Sequence, residues 1–124
     1  MHDQVDRVDE RSLRELVERF YARVREDEQL GPIFNDAIQD WPEHLDKLTA
    51  FWSSVMLTSG RYKGNPLAAH IKHRDRITPE LFDRWLALWQ LTTSEVMDQD
   101  AARIIQFKAS RIAESLQLGM FFRL

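Results

Sequence analysis

The residue most able to do chemistry is a histidine in the stretch YKGNPLAAHIKH. Asn65 and Pro66 are typical of a helix start, because asparagine caps exposed N–H groups and proline tolerates the first helical position. His70 follows Leu67 by three residues and precedes Ile71, so its imidazole lies with the apolar side of that short helix. Such a histidine is often only hydrogen-bonded within the core, but it can also ligate a metal.

Three further polar side chains fall on apolar helical faces elsewhere in the chain. They are Tyr21, His44 and Trp85, each spaced at helical intervals from leucine, valine or phenylalanine. A buried phenol, imidazole or indole N–H needs a hydrogen-bond partner. Together with His70, these groups have the composition of a ligand pocket, which is mostly apolar with a few convergent polar atoms.

A single imidazole in apolar surroundings, with hydrogen-bond donors opposite, is what a globin-type haem site requires. The iron takes one axial nitrogen, and the porphyrin needs flat apolar walls. Hydrolytic chemistry would need other groups, and the sequence has no inward pair of carboxylates, no serine with a nearby base and no glycine-rich nucleotide motif. The residues therefore favour haem. A cofactor-free helical module, whose aromatic side chains only fill a core, stays open as an alternative.

Composition narrows the class of protein. The 124 residues suit one globular domain, and no apolar run approaches the ~20 residues of a membrane helix. The polar, acidic start resembles neither a secretory signal nor a transit peptide, so we expect a cytoplasmic protein with no membrane partner. A net charge of −3, with lysine and arginine spread among acids, argues against nucleic acid. The absence of cysteine excludes disulfides and thiolate metal sites.

Helical periodicity runs through the whole chain, and the alternation that strands need is missing. We therefore predict an all-α fold, with a polar tail over residues 1–11 and a single domain over 12–124. A capping box is expected at Ser12, and Thr78 is expected to cap a later helix. Glycine and proline in LGPIF are expected to end the first helix. The five predicted helices cover about 12–25, 40–57, the short stretch from residue 65, 79–97 and 100–121.

Three motifs carry a resemblance to a known family. They read RFYARVREDEQLGPIF, WPEHLDKLTAFWSSVMLTSGRYKGNPLAAHI and ITPELFDRWLALW. In this order and spacing they resemble the truncated haemoglobins of the third subfamily, over about residues 12–122. The resemblance implies a shortened globin fold, two helices over two, around haem b with a five-coordinate iron. The absence of Gly-Gly pairs agrees with that subfamily.

The resemblance also implies a role for individual residues. It makes His70 the proximal iron ligand, and Tyr21 and Trp85 the hydrogen-bond donors to the bound ligand. It makes His44 a gate on the distal side. The other implied cofactor contacts are Phe20, Leu48 and Trp52 in the distal wall, Lys47 at a propionate, and Phe51, Tyr62 and Ile71.

One segment departs from the family pattern. After the proximal histidine the chain reads IKHRDR, where the family more often has apolar residues and proline. His73, three residues after His70, raises the alternative of a two-histidine metal site. We expect His73 to be a bystander at a solvated helix end, because no third ligand is evident. We assign no role to His2.

The expected function is binding of dioxygen, nitric oxide or carbon monoxide. Two donors to the ligand would slow its release, which favours oxygen chemistry or nitric-oxide handling over bulk oxygen transport. The alternative is a haem enzyme, a nitric oxide dioxygenase or a peroxidase-like catalyst. It would need a separate reductase, because the sequence has no flavin or nicotinamide motif. We expect a monomer.

Overall fold

The computed structural model describes residues 8–122. Within these residues the chain is helical, which confirms the predicted all-α fold, and it has one helix more than the sequence pattern predicts. No helix in this part of the chain has the length and apolar character needed to cross a membrane. The six helices are α1 Glu10–Glu26, α2 Gly31–Ala37, α3 Trp41–Leu57, α4 Pro66–Ile71, α5 Pro79–Val96 and α6 Gln99–Phe121.

The first helix begins two residues earlier than predicted. Its N-cap is Asp9, whose side chain accepts from the Ser12 N–H at 2.8 Å, while the Ser12 hydroxyl accepts from the Asp9 N–H at 2.9 Å. Ser12 is therefore the last residue of the capping box and not its first. The boundary predicted at residue 11 falls inside α1. Residues 1–7 of the predicted tail, with His2, lie outside the described residues.

The helix that the sequence pattern missed is α2. Glycine and proline were expected to end α1 there, but Pro32 lies in the first turn of a new helix, where its missing N–H is not needed. Gly31 allows a close approach, because a Cβ atom at this position would lie 2.6 Å from the carbonyl oxygen of Arg25. The Asp27 carboxylate also accepts from the Leu30 N–H at 3.0 Å. The start of α2 is therefore packed directly against the end of α1.

The other helices start close to the predicted positions. Asp40 and Asn65 are the N-caps of α3 and α4, as predicted, and each side chain accepts a backbone hydrogen bond at 3.1 Å. Thr78 occupies the N-cap position of α5, but its hydroxyl makes no capping hydrogen bond. The N-cap of α6 is Asp98, two residues before the predicted start at Asp100.

The order of helix packing separates α3 from α4, and the region between them is called the gap. α1 packs on α3 and α5 packs on α6, which gives two pairs of helices, and α1 also packs on α5. α4 packs on α6, and α2 on α1. The contacts therefore run from α3 through α1, α5 and α6 to α4. α3 and α4 lie at the two ends of this series, with no close backbone packing between them in the described part of the chain.

Aromatic side chains fill the main core. Trp52 of α3 stacks on Trp89 of α5 at 4.6 Å between ring centroids, and Trp89 stacks on Trp85 at 5.4 Å. Phe20 of α1 meets Trp85 and Trp89 edge-on. This stack connects α1, α3 and α5 into one unit, and its geometry is the offset or edge-on packing that aromatic rings prefer.

A second apolar cluster lies beside the first, between α4, α5 and α6. Its buried members are Phe82, Ala113 and Met120, and Leu67 and Ile71 of α4 pack against them. No residue of α4 is fully buried. The short helix is therefore held against the rest of the protein by one face, and its other side is left next to the gap.

Candidate functional site

His70 lies on α4, one residue before the helix ends. Its Nδ1 is 2.7 Å from the carbonyl oxygen of Pro66, one turn earlier on the same helix. When Nδ1 carries the proton and donates to this carbonyl, Nε2 holds a free lone pair. Nε2 makes no hydrogen bond within the described residues, and the ring is only half-buried. His70 therefore has the form of a metal ligand.

His44 lies in the first turns of α3 and is half-buried. Its ring is 5.7 Å from the ring of Trp41 and 6.4 Å from that of Tyr21, perpendicular to both. Burial lowers the pKa of His44, and the charges of Lys47 and His70 lower it further. His44 lies on α3 and His70 on α4, the two helices on either side of the gap.

Tyr21 is buried on the inward face of α1. Burial raises the pKa of its hydroxyl, and a hydrogen bond with Trp85 opposes this shift in part. The phenol is therefore protonated at any physiological pH and can donate a hydrogen bond. The Trp85 indole can only donate, so it donates to the Tyr21 oxygen. Tyr21 and Trp85 thus form one polar pair, from two helices, in apolar surroundings.

Four of the side chains that the resemblance assigns to a cofactor wall are half-buried. These are Leu48 and Phe51 of α3, Tyr62 of the following loop and Ile71 of α4. Phe51 and Tyr62 meet edge-on at 5.2 Å, and the Tyr62 N–H donates to the Ser54 hydroxyl at 2.9 Å, which fixes the loop on α3. Half-buried apolar side chains on α3 and α4 are what the two sides of a crevice require.

Phe20 and Trp52 lie deeper than the other assigned wall residues. Phe20 is fully buried, and Trp52 is 2% exposed. Both belong to the aromatic stack of Trp85 and Trp89. Trp52 also meets Phe51 edge-on at 5.4 Å. In this structure the two side chains are members of the main core.

Lys47 lies on the exposed side of α3. Its Nζ is 3.6 Å from a carboxylate oxygen of Glu43, in an exposed pair one turn apart. Its charge is close enough to lower the pKa of His44. Lys47 is therefore at the rim of the gap, on the same stretch of α3 as the histidine.

Trp41 and Phe34 belong to the site although sequence reasoning did not select them. The ring of Phe34, on α2, is 5.8 Å from that of Tyr21, and the ring of Trp41 is 6.1 Å from it. The Arg25 guanidinium lies 4.6 Å above the Trp41 ring. Trp41 precedes His44 by three residues on the same helix, and this spacing could have identified it. Phe34 could not be placed without α2.

A second metal site at His73 has no support in the described residues. They contain no group of three or more histidine, cysteine, aspartate or glutamate side chains that could hold a metal ion. The His73 N–H donates to the carbonyl oxygen of His70 at 3.0 Å, in the turn that ends α4. The residues at the gap, by contrast, fit an iron porphyrin. They supply one free imidazole nitrogen, apolar side chains on both sides, and Tyr21 paired with Trp85.

Comparison with known proteins decides the family. The sequence profile of the bacterial-like globin family matches residues 6–116. The chain belongs to this family. This globin is 35% identical, over 114 residues and 89% of each chain, to a group 3 truncated haemoglobin of Campylobacter jejuni. The crystal structure of a group III truncated haemoglobin from the same species superposes with a TM-score of 0.87, at 34% identity, over 96% of each chain.

These matches confirm the resemblance to the third subfamily of truncated haemoglobins and the shortened globin fold. Membership of the globin family implies that the protein binds haem. In this globin the two layers of the fold correspond to α1 packed on α3 and α5 packed on α6.

Proposed function

We propose that this globin binds haem b through His70 and takes up dioxygen, nitric oxide or carbon monoxide on the side of Tyr21, His44 and Trp85. The observation that carries the proposal is the state of His70: its Nδ1 is held by the Pro66 carbonyl, and its Nε2 is free beside the gap. The other proposed haem contacts are Phe20, Lys47, Leu48, Phe51, Trp52, Tyr62 and Ile71.

Haem, when bound, supplies an iron that binds diatomic molecules and changes its oxidation state. The protein controls the proximal side through the hydrogen bond between His70 and Pro66. This bond fixes the tautomer, orients the ring along α4 and makes Nε2 a stronger electron donor. The half-buried apolar residues of α3 and α4 exclude water from the faces of the cofactor.

Tyr21 and Trp85 control the distal side. The raised pKa of Tyr21 keeps its hydroxyl protonated, so it can donate to a ligand while it accepts from the Trp85 indole. Such a bond contributes ~1–3 kcal/mol when the ligand carries partial charge, and it slows the release of the ligand. Slow release is unsuited to bulk oxygen transport. It favours oxygen chemistry or the handling of nitric oxide. We expect this function to be carried out in the cytoplasm.

A second candidate function uses the same donor pair in catalysis. A ligand held by the Tyr21 hydroxyl, which itself accepts from the Trp85 indole, stays long enough to react, as a nitric oxide dioxygenase or a peroxidase-like enzyme requires. Electrons would come from a separate reductase. To test this candidate, the reduced, oxygenated protein is mixed with nitric oxide. Fast, stoichiometric nitrate formation would favour the enzyme, whereas slow formation would support ligand binding as the only function.

The test of the main proposal is an absorption spectrum of the purified protein after titration with haemin. We expect an intense Soret band that saturates at one haem per chain and shifts when dithionite and carbon monoxide are added. A protein that gives no Soret band after this titration would be a cofactor-free helical module. The His73→Ala variant is a matched control and is expected to titrate as the unmodified protein does.

A further inference from the structure

The outward face of α6 exposes more apolar surface than any other element in the described part of the chain. Ile104 is 52% exposed, Phe107 66%, Leu118 54% and Phe122, which follows the helix, 70%. Of the large apolar side chains exposed within residues 8–122, only Leu91 lies elsewhere, on α5. Single exposed apolar residues are ordinary, but three on one helix and a fourth just after it mark an interaction surface.

The spacing of these residues follows a seven-residue repeat. Residues separated alternately by three and by four positions lie along one stripe of the helix surface, as in coiled coils. This stripe is called the seam. The opposite face of α6 is buried against α5 and α4, so the seam faces outward. In chain order the exposed seam residues are Ile104, Phe107, Arg111, Glu114 and Leu118; Phe121, at the next position of the repeat, packs inward on Phe82.

The centre of this seam is charged, and its charges define the partner. Arg111 and Glu114 are exposed, and their charged atoms are 4.0 Å apart within the chain. A second copy of α6 that runs antiparallel, related by a two-fold axis between residues 112 and 113, brings each Arg111 opposite the Glu114 of the other copy. A parallel copy in register would bring like charges together instead. The seam is therefore complementary to itself only in the antiparallel arrangement.

The same axis also pairs the apolar residues. It brings Phe107 opposite Leu118 of the second copy, and Ile104 opposite the end of the second helix, next to the exposed Phe122. The charged layer at the centre is thus flanked on each side by two apolar layers. A polar layer at the centre of a helix pair is a known means of fixing register and orientation.

We propose that α6 is a dimerisation surface, on which two copies of this globin associate through antiparallel α6 helices about a two-fold axis. The proposal differs from the expected monomer, and it does not depend on haem binding. A different partner protein on this face is the competing occupant. The two occupants are distinguished by whether the purified protein dimerises, because no other protein is present in that sample.

The test is sedimentation velocity of the purified haem-loaded protein over a range of concentrations, combined with charge reversal. We expect a concentration-dependent dimer. Arg111→Glu and Glu114→Arg should each weaken it at least about tenfold, because like charges then meet at the centre. The variant that carries both changes should regain the dimer of the unmodified protein. A protein that sediments as a monomer at every concentration would overturn the proposal, as would single reversals without effect or a double variant without recovery.

A second pair of variants locates the apolar layers. Phe107→Ser should dissociate the dimer, whereas Leu91→Ser should leave it intact, because Leu91 is similarly exposed but lies on α5. Both positions are on the surface, so neither change removes a core contact. Equal loss of the dimer in both variants would place the interface on another face and contradict the assignment to α6.

Discussion

Leu67 on α4 and Gly119 on α6 approach so closely that a Cβ atom at position 119 would lie 2.8 Å from the Leu67 Cδ1. α4 buries no residue fully and packs mainly on α6, so this contact sets the distance between α4 and α6. His70 follows Leu67 by three residues on the same face of α4. The absence of a side chain at Gly119 therefore determines where the proposed iron ligand stands.

Gly119→Ala tests this contact. Alanine in a helix is favoured over glycine by ~1 kcal/mol, but inserting a methyl group into a packed contact costs ~1–3 kcal/mol. We expect the clash to outweigh the helical gain, so that the free energy of unfolding in urea falls by about 1 kcal/mol. Displacement of α4 should also shift the iron–histidine stretching band of the reduced, haem-loaded protein.

The matched control for this prediction is the same change in a Leu67→Ala background. There the space is open, and only the helical preference of alanine remains. Gly119→Ala should then raise the free energy of unfolding by up to ~1 kcal/mol. A stabilising effect of Gly119→Ala in both backgrounds would show that the Leu67 side chain simply moves aside.

His70→Ala removes the proposed proximal ligand. We expect the variant to lose most of its haem, or to retain haem only when imidazole is added to the solution, because the cavity left by the ring accepts the free base. The measurement is the Soret absorbance after gel filtration, with and without imidazole. His73→Ala should behave as the unmodified protein does. Full retention of haem with an unchanged ferrous spectrum in His70→Ala would contradict the proximal assignment.

His44→Leu tests the gate. If the imidazole swings between the gap and solvent, its replacement should change the rate of ligand entry more than the rate of exit. Flash photolysis of the carbon monoxide complex gives the association rate, and stopped-flow displacement gives the dissociation rate. A hundredfold change in oxygen dissociation with unchanged association would show that His44 is a ligand donor and not a gate.

The pKa of His44 predicts a pH dependence of stability. Because burial lowers this pKa below its ordinary value of 6.5, the unfolded chain takes up a proton at a higher pH than the folded protein. The contribution of His44 is therefore fully present above pH ~6.5 and is lost as pH falls through the lowered pKa. Urea unfolding as a function of pH should show this decline. In His44→Leu the decline should be smaller, and an identical slope in both proteins would refute the assignment to His44.

Tyr21 and Trp85 are expected to act as one network. Tyr21→Phe and Trp85→Phe should each change the oxygen dissociation rate by about tenfold or more, equivalent to ~1.4 kcal/mol. The hydrogen bond between the two side chains means that removal of one frees the other to reorient. The effects in the double variant should therefore not multiply. Equal release rates in all four proteins, with identical carbon monoxide stretching bands, would move the distal role to His44.

The sequence determined which face of each helix each functional side chain occupies. Helical spacing placed Tyr21, His44, His70 and Trp85 on apolar faces; in the structure Tyr21 is buried and the other three are half-buried. Helix starts marked by a short polar side chain were also recognisable, as at Asn65, because a cap acts within one turn and depends on neighbours in the chain. Periodicity and capping are local properties, so the sequence alone contains them.

Contacts between distant residues were decided only by the tertiary structure. α2 exists because Gly31 can approach the carbonyl of Arg25, a contact that the motif LGPIF does not reveal. The depth of Trp52, which the resemblance placed in a cofactor wall, depends on its stacking with Trp89 on another helix. The gap between α3 and α4 depends on the whole series of contacts through α1, α5 and α6. Helical spacing gives the direction of a side chain, whereas the distance between two helices follows from the packing of all the others.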